Sequence, residues 1–598
     1  MAASQQRRCP RDHVINRGDP PAPPPAPLLL VPGVLGTMLA VRPAGQEGAD
    51  GERCWVNLRS ADASYKQLWG KYSRQSSRVE LLLEGLEACV PRGPDDSGLY
   101  PISVLDPEAG GLVPPLHYFQ PFVSHLQDRG YTPGLNLFGC GYDFRQGCRL
   151  SAQTLLGALR SASRRCGGAR VDIVSHSMGG LVVRSLLADH PEAFEKLVGR
   201  WVAIGCPFAG APGYTVDALL TGVQFGGSLG EQLFVKRETF RQAALQSPSV
   251  FELLPPLDFP WAIPKPRLDL WLWQPIPDYS PAAMLNSAAQ QANDPTARPA
   301  MAAAALMPDA SSACVQCPHC GGHVQLPAAG PWPGGAADAS VKHSPLPCAS
   351  HVWHAVPAPP AGIACDDGRS RGSSAGQYTA CTAWASQYVF QLDHLPGLLN
   401  RLLEDNAVTV GSKVVPLPFE PELWEQAQAT RTAWAAAELP PSCAFYNLYG
   451  NGVSTPWDCT YGAWWHPLQS LASLPAATAA FSYVVGDGTV PAESARAHGL
   501  RAVATAEVQK VAHRDLVSSQ TVWDQVLVWL ATTRAAPATA GAPDAVAAQD
   551  GSSCRRAGSQ RSGGPAAAHP SKSQRGEQGQ GEEESTFWNP LAWQSVLG

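Results

Sequence analysis

Residues 171–187 read VDIVSHSMGGLVVRSLL, and the change of character inside this stretch decides the fold. Val171, Ile173 and Val174 have the β-branched character of a strand buried on both faces. Leu181, Val182, Leu186 and Leu187 then fall at helical spacing. Between the two runs sits Ser177, flanked two residues away on each side by Ser175 and Gly179. A strand that turns sharply into a helix at a serine is the nucleophile elbow written G-x-S-x-G. Ser175 replaces the first glycine but keeps the small side chain that close packing at both flanking positions demands. The competing reading is a strand–loop–helix crossover that merely contains serines. The choice turns on whether a base, an acid and oxyanion donors follow in the right chain order.

Around the elbow, strands and helices alternate. Leu28 to Val41 reads as a strand ending in a Gly-rich turn, Leu135 to Phe138 as a short strand, Leu155 to Arg165 as a helix, and Trp201 to Ile204 as another strand. This is the rhythm of a doubly wound α/β sheet. Trp55 to Tyr72, aromatic and polar by turns, reads as an amphipathic lid. From about Leu219 to Pro440 the rhythm changes, and the segments 219–235 and 240–256 look helical and partly apolar. Roughly Pro281 to Gln377 is rich in Ala, Pro, Gly and Ser and reads as a disordered insertion without a continuous core. The sheet pattern returns at CAFYNLYG and at FSYVVGDGTVP, and TVWDQVLVWLATT closes the folded part as a helix. The expected organisation is an N-terminal tail (1–27), a first core part (28–218, lid about 50–90), a cap region (219–439, insertion about 281–377), a second core part (440–534) and a C-terminal tail (535–598).

The composition excludes some functions. Net charge is −6 and charged residues make up 16% of 598 positions, so no basic field points to nucleic acid. The first 27 residues carry arginines but no apolar core of a signal peptide, and no apolar run reaches membrane-spanning length. There is no N-x-Ser/Thr sequon, and the 16 cysteines are expected to stay reduced. Together these features lead us to expect a cytoplasmic protein, soluble or peripherally associated with membranes.

A serine hydroxyl becomes a nucleophile when a histidine accepts its proton and a carboxylate orients that imidazole. In α/β-hydrolases the order is Ser, then Asp or Glu, then His. After Ser177, the strand FSYVV ends in Gly486-Asp487-Gly488, and VQKVAHRDL places His513 before the final helix. Taken singly, GDG is a common hairpin turn and a lone His is a common cap. In this order they complete a triad. The oxyanion hole needs the N–H of the residue after the nucleophile, Met178, and a second from the loop after an early strand. LLLVPGVLG supplies that loop, and its glycines allow the amide of Leu35 to face the developing charge, although an ordinary turn also explains them.

VPGVLG, YDFR, SHSMGG, GCPFAGAPG, GDGTVP and the late His513 together resemble the lecithin:cholesterol acyltransferase family. HPEAF, LTGVQF and DGTVPAESA most resemble its plant and algal lecithin:cholesterol acyltransferase-like 4 branch, which acts as phospholipase A. The similarity covers about residues 28–280 and 378–532. It implies an α/β-hydrolase fold with lid and cap insertions. It also implies Ser177, Asp487 and His513 as the triad and Leu35 with Met178 as oxyanion donors, while Tyr142, Asp143 and Arg145 match a motif expected to be a buried charged pair. Animal members close the lid with a disulfide. Cys54 and Cys89 bracket that segment here, and a reducing compartment would leave them unpaired. Val485 stands before GDG where the family often has an acidic residue.

Cys314, Cys317 and Cys320, with His319 and His323 nearby, have the half-site spacing of zinc ligands. A second half-site is absent unless Cys348, His351 and His354 complete it, and a cysteine-containing loop is the simpler reading. No cofactor is expected. The sequence thus points to a serine-dependent phospholipase A or O-acyltransferase that forms an acyl-enzyme on glycerophospholipid esters and touches the membrane surface. Trp55, Leu68 and Trp69 in the lid would make that contact, and Trp271 and Trp273 fall at strand spacing in the cap. The alternative is a catalytically silent lipid-binding or scaffolding member of the fold.

Overall fold

The computed structural model describes residues 25–46, 51–107, 116–223, 235–275, 314–316, 323–325, 383–463 and 465–532. At its centre is a six-stranded sheet. In chain order the strands are β1 (Leu28–Val31), β2 (Leu137–Gly139), β3 (Val171–His176), β4 (Val198–Ile204), β5 (Ala444–Asn451) and β6 (Ala502–Gln509). They lie in the spatial order β6-β5-β4-β3-β1-β2, and every pairing is parallel. A parallel sheet needs both faces covered, and the apolar runs of β1, β3 and β4 are buried at every position. Helices α1 (Cys148–Arg165) and α2 (Met178–Asp189) pack together against this sheet, with Leu155, Leu159, Leu186 and Leu187 at or near zero exposure. Each such leucine stabilises the fold by about 2 kcal/mol. On the far side of α2 lies α3 (Pro421–Ala436), whose Trp434 donates its indole N–H to Ser185 Oγ at 2.7 Å. The final helix, α4 (Gln520–Ala531), stacks Trp529 on Tyr446 with ring centres 5.1 Å apart. This is an α/β-hydrolase core.

A second, four-stranded sheet runs in the order 383–391, 267–275, 453–461, 479–486. Leu268, Leu270, Phe390, Cys459 and Tyr461 join a second apolar core with Val216, Leu219 and Leu220 from the helix Pro212–Leu220. Two of its strands come from the segment expected to belong wholly to the core, so the boundary expected at 439/440 does not coincide with a structural one. FSYVV is strand Ala479–Gly486 at the edge of this second sheet and no part of the central one. Trp271 and Trp273 do lie in a strand, Arg267–Pro275, and both are half-buried.

The membrane contact expected of Trp55 and Leu68 is corrected. Residues 51–90 form strands Glu52–Trp55 and Leu86–Cys89 on either side of Leu39–Pro43, a helix Ala61–Lys66 and a hairpin of Gly70–Ser73 with Arg78–Leu81. Trp55 and Leu68 are 4% and 0% exposed, so neither can meet a bilayer. Trp55 packs edge-on against Tyr65 and Phe144 instead. Trp69 is half-buried and donates its N–H to the Thr239 carbonyl at 2.9 Å. Amphipathic alternation arises equally in a small subdomain packed on the core, which is what these residues build. Cys54 and Cys89 are free thiols, and burial pushes Cys54 up to about 12.

The C-terminal tail, residues 1–24 of the N-terminal tail and nearly all of the expected insertion lie outside the described residues, as do Cys317 and Cys320 and the side chains of Cys314 and His323. The backbones of Cys314–Gln316 and His323–Gln325 pair antiparallel. Pro275 and Ala383, which flank the insertion, face each other across one antiparallel pair. Because the chain leaves and returns at neighbouring positions, deletion of residues 285–375 is expected to preserve the strand register and to leave a folded, active protein. Loss of soluble expression would refute this. Among the described residues, no helix is long and apolar enough to cross a membrane.

Candidate active site

At the end of β3 the chain turns within one residue. Ser177 has φ 53° and ψ −132°, a left-handed conformation that few non-glycine residues adopt. It is held there by its N–H, which donates to the Ile204 carbonyl at 2.9 Å, and by its carbonyl, which accepts from Gly180 N–H at 2.9 Å. Ser175, in place of the first glycine of the motif, accepts the Trp201 indole N–H on its Oγ at 2.9 Å, so its hydroxyl is satisfied within the core. Met178 opens α2, so its amide has no intrahelical acceptor and lies at the positive end of the helix dipole.

Asp487 sits where strand Ala479–Gly486 ends. Its Oδ1 accepts from the amides of Thr489 (3.0 Å) and Val490 (2.7 Å), which leaves Oδ2 for His513 Nδ1 at 2.7 Å. The His513 amide also donates to the Asp487 carbonyl at 2.7 Å, locking the two loops together. Both side chains are buried. His513 Nε2, on the opposite edge of the ring, is buried and finds no hydrogen-bond partner among the described residues.

The loop after β1 approaches Ser177 closely. A Cβ on Gly33 would lie 2.7 Å from Ser177 Cβ and 3.2 Å from its Oγ. Leu35 has φ 62°, and its carbonyl accepts the Trp55 indole N–H at 2.8 Å. Tyr142 donates its hydroxyl to the Pro32 carbonyl at 2.8 Å, and the Gly33 amide donates to Tyr118 Oη at 2.9 Å. Beside this loop, Arg145 forks onto Asp143 at 2.7 and 2.9 Å. Burial alone would raise the Asp143 carboxyl, but the Arg145 charge overrides it and holds Asp143 below the usual carboxylate range. A carboxylate-held imidazole near a serine on a strained turn is an arrangement that acyl transfer can use.

The family description "Lecithin:cholesterol acyltransferase" matches residues 92–289. Over 511 residues the chain is 30% identical to "Phospholipase A(1) LCAT3" of Arabidopsis thaliana, covering 84% of this chain and 90% of that protein. The chain belongs to the lecithin:cholesterol acyltransferase family. Within that family it is also 28% identical to "Lecithin-cholesterol acyltransferase-like 4" of the same plant, over 84% of this chain and 75% of that one. To the human "Lysosomal phospholipase A and acyltransferase" it is 26% identical over 31% of this chain and 47% of that one. Among solved structures, the Tle4-Tli4 complex covers 85% of this chain and 98% of its own at 14% identity, with a TM-score of 0.40.

In this lecithin:cholesterol acyltransferase family member, the structure joins Asp487 to His513, sets the His513 ring 4.7 Å from that of His176, the residue before Ser177, and lays the Gly33 loop that holds Leu35 against Ser177. Three neighbours escaped the sequence reading. Tyr118, in LHYFQPF, and His176, beside the nucleophile position, lie 2.6 Å apart through Tyr118 Oη and His176 Nδ1. Trp55 was read as a lipid anchor. No spacing rule marks Tyr118, whereas His176 stands inside the elbow motif itself.

Close approach on the elbow gives a testable outcome. A Cβ on Gly179 would lie 2.4 Å from the Pro32 carbonyl oxygen and 2.7 Å from that of Val31. Gly179→Ala is therefore expected to destabilise by about 1–3 kcal/mol, read as a lowered melting temperature. Gly33→Ala pushes on Ser177 rather than on the sheet, so it is expected to reduce turnover more than stability.

Proposed function

We propose that the chain is a serine-dependent phospholipase A and O-acyltransferase acting on glycerophospholipid acyl esters. One observation carries this: His513 holds Nδ1 on Asp487 at 2.7 Å and keeps Nε2 buried without a hydrogen-bond partner among the described residues, on a ring 4.7 Å from that of His176, the residue before the strained Ser177. Ser177 Oγ attacks the ester carbonyl carbon as its proton passes to His513 Nε2. Asp487 keeps the imidazole in the tautomer that can accept that proton and stabilises the resulting imidazolium. The amides of Leu35 and Met178 receive the oxyanion. His513 then protonates the departing lysophospholipid oxygen, leaving the acyl group on Ser177. Water or a lipid alcohol, deprotonated by His513, releases it.

Similarity to the two Arabidopsis relatives over most of the chain supports the substrate class. A fluorophosphonate probe tests the chemistry: it should label the wild type at Ser177 and leave Ser177→Ala unlabelled. No labelling of the wild type would favour a silent lipid-binding protein. Product analysis on a phospholipid with distinguishable acyl chains, with and without a lipid alcohol, then separates hydrolysis from transfer. A cytoplasmic location belongs to the same reading. Cys54 and Cys89, which bracket the segment that animal members close with a disulfide, are unbridged, which supports a reducing compartment, and recovery from an organelle lumen on fractionation would overturn it.

With Trp55 and Leu68 buried, we assign the bilayer contact elsewhere. Trp465, Tyr483 and Val485 are 66%, 60% and 59% exposed, and the latter two lie on the edge strand that leads directly into Asp487. Tyrosine and tryptophan favour the membrane–water interface. The double substitution Tyr483→Ser with Val485→Ser is expected to reduce turnover on phospholipid vesicles roughly tenfold, by the apolar area it removes. Turnover of a short-chain ester in solution should hardly change. Equal losses on both substrates would place these residues in the fold or the pocket.

A further inference from the structure

The loop Pro32–Gly36 is gripped by three aromatic side chains from three separate segments, each through a single polar atom. Tyr142 Oη donates to the Pro32 carbonyl (2.8 Å), the Gly33 amide donates to Tyr118 Oη (2.9 Å), and Trp55 Nε1 donates to the Leu35 carbonyl (2.8 Å). All three rings are buried. The Tyr118 hydroxyl continues to His176 Nδ1 at 2.6 Å, and His176 Nε2 lies 3.1 Å from the carbonyl oxygen of His513.

Donor and acceptor inventory orients this chain. A carbonyl only accepts, so His176 carries its proton on Nε2 and donates it to His513; its Nδ1 then accepts from the Tyr118 hydroxyl, whose oxygen in turn accepts from Gly33. Every group is satisfied in one direction. Burial, then the neighbouring His513 and Arg514, hold His176 well below the ordinary imidazole range, which agrees with a neutral ring.

We infer that Trp55, Tyr118 and Tyr142 are positioning residues that hold the Leu35 amide ready for the oxyanion. We infer further that Tyr118, through His176, ties that loop to the backbone of His513. This rests on the acyl-transfer reading above. Leu35 at φ 62° would not keep its orientation unaided, since a left-handed leucine persists only where its surroundings over-determine it. The clamp supplies that determination, and the relay makes the oxyanion loop and the base move as one unit.

The test uses Trp55→Phe, Tyr118→Phe and Tyr142→Phe, which remove polar atoms and keep buried rings, with turnover normalised to sites titrated by a fluorophosphonate. Each should lower kcat about ten- to hundredfold with little change in KM, as displacement of a reacting group does. Affinity for a boronate that mimics the tetrahedral intermediate should fall in parallel. His176→Gln, whose amide reaches the Nε2 position, should retain more activity than His176→Asn, whose amide does not. Wild-type kcat per titrated site in all three phenylalanine variants would overturn the inference, as would losses confined to melting temperature. A wild type that fails to label would instead remove the acyl-transfer reading beneath it. If Tyr118→Phe does not fold, the His176 pair still decides the relay: equal activity of the two amides would refute it.

Discussion

Ser177→Ala is expected to lower turnover at least ~10⁴-fold, because the covalent step has no other hydroxyl to use and the base and oxyanion donors act only as a unit with it. Stability should hardly move. The side chain is small, and alanine inherits the same φ of 53°. Ser177→Gly sharpens the test: it should be equally inactive yet more stable than Ser177→Ala by about 1 kcal/mol or more, since glycine occupies the left-handed region without strain. Activity measured on phospholipid beside thermal melting of the three proteins checks both statements. Substantial residual turnover in either variant would mean that another group is the nucleophile.

Asp487→Asn is expected to reduce kcat about 10⁴-fold while the backbone stays in place. The reason lies in the two amides on Oδ1. Thr489 and Val490 N–H must keep an acceptor, so the asparagine carbonyl takes that position and its NH₂ turns towards His513 Nδ1. Nδ1 must then accept, the proton moves to Nε2, and the imidazole can no longer take a proton from Ser177. Fluorophosphonate labelling should slow in proportion to turnover. Normal kcat in a folded Asp487→Asn protein would assign the carboxylate a structural role only.

Much of this candidate site was legible in the chain because its members stand where apolar periodicity stops. Ser177 follows an unbroken buried strand, and His513 follows the last strand of the central sheet, so each break marked a position at the sheet rim. Asp487 was chosen as candidate acid in the same way, but its strand was given to the wrong sheet. FSYVV is apolar enough for a core strand, and alternation reports that a strand exists without reporting its partners; pairing with 453–461 is a tertiary fact. Trp55 and Leu68 were misplaced for a related reason: indole and leucine suit a bilayer surface and a buried subdomain equally. Tyr118 left no sequence signal because its contribution is one oxygen atom aimed at a backbone amide.

The second sheet does more than cap the core, because it ends in the triad's candidate acid. Strand Ala479–Gly486 is paired along its length with Val453–Tyr461, and the Gly488 amide just beyond Asp487 is anchored to Thr455 Oγ1 at 2.9 Å. The sheet is thus a lever arm whose tip is Asp487. A shift of the cap against the core is transmitted to the carboxylate–imidazole distance, so cap variants far from the substrate should register in kcat. For the same reason the central sheet with its candidate serine and histidine is expected to make no minimal enzyme. Trimming the cap removes the arm that carries the candidate acid.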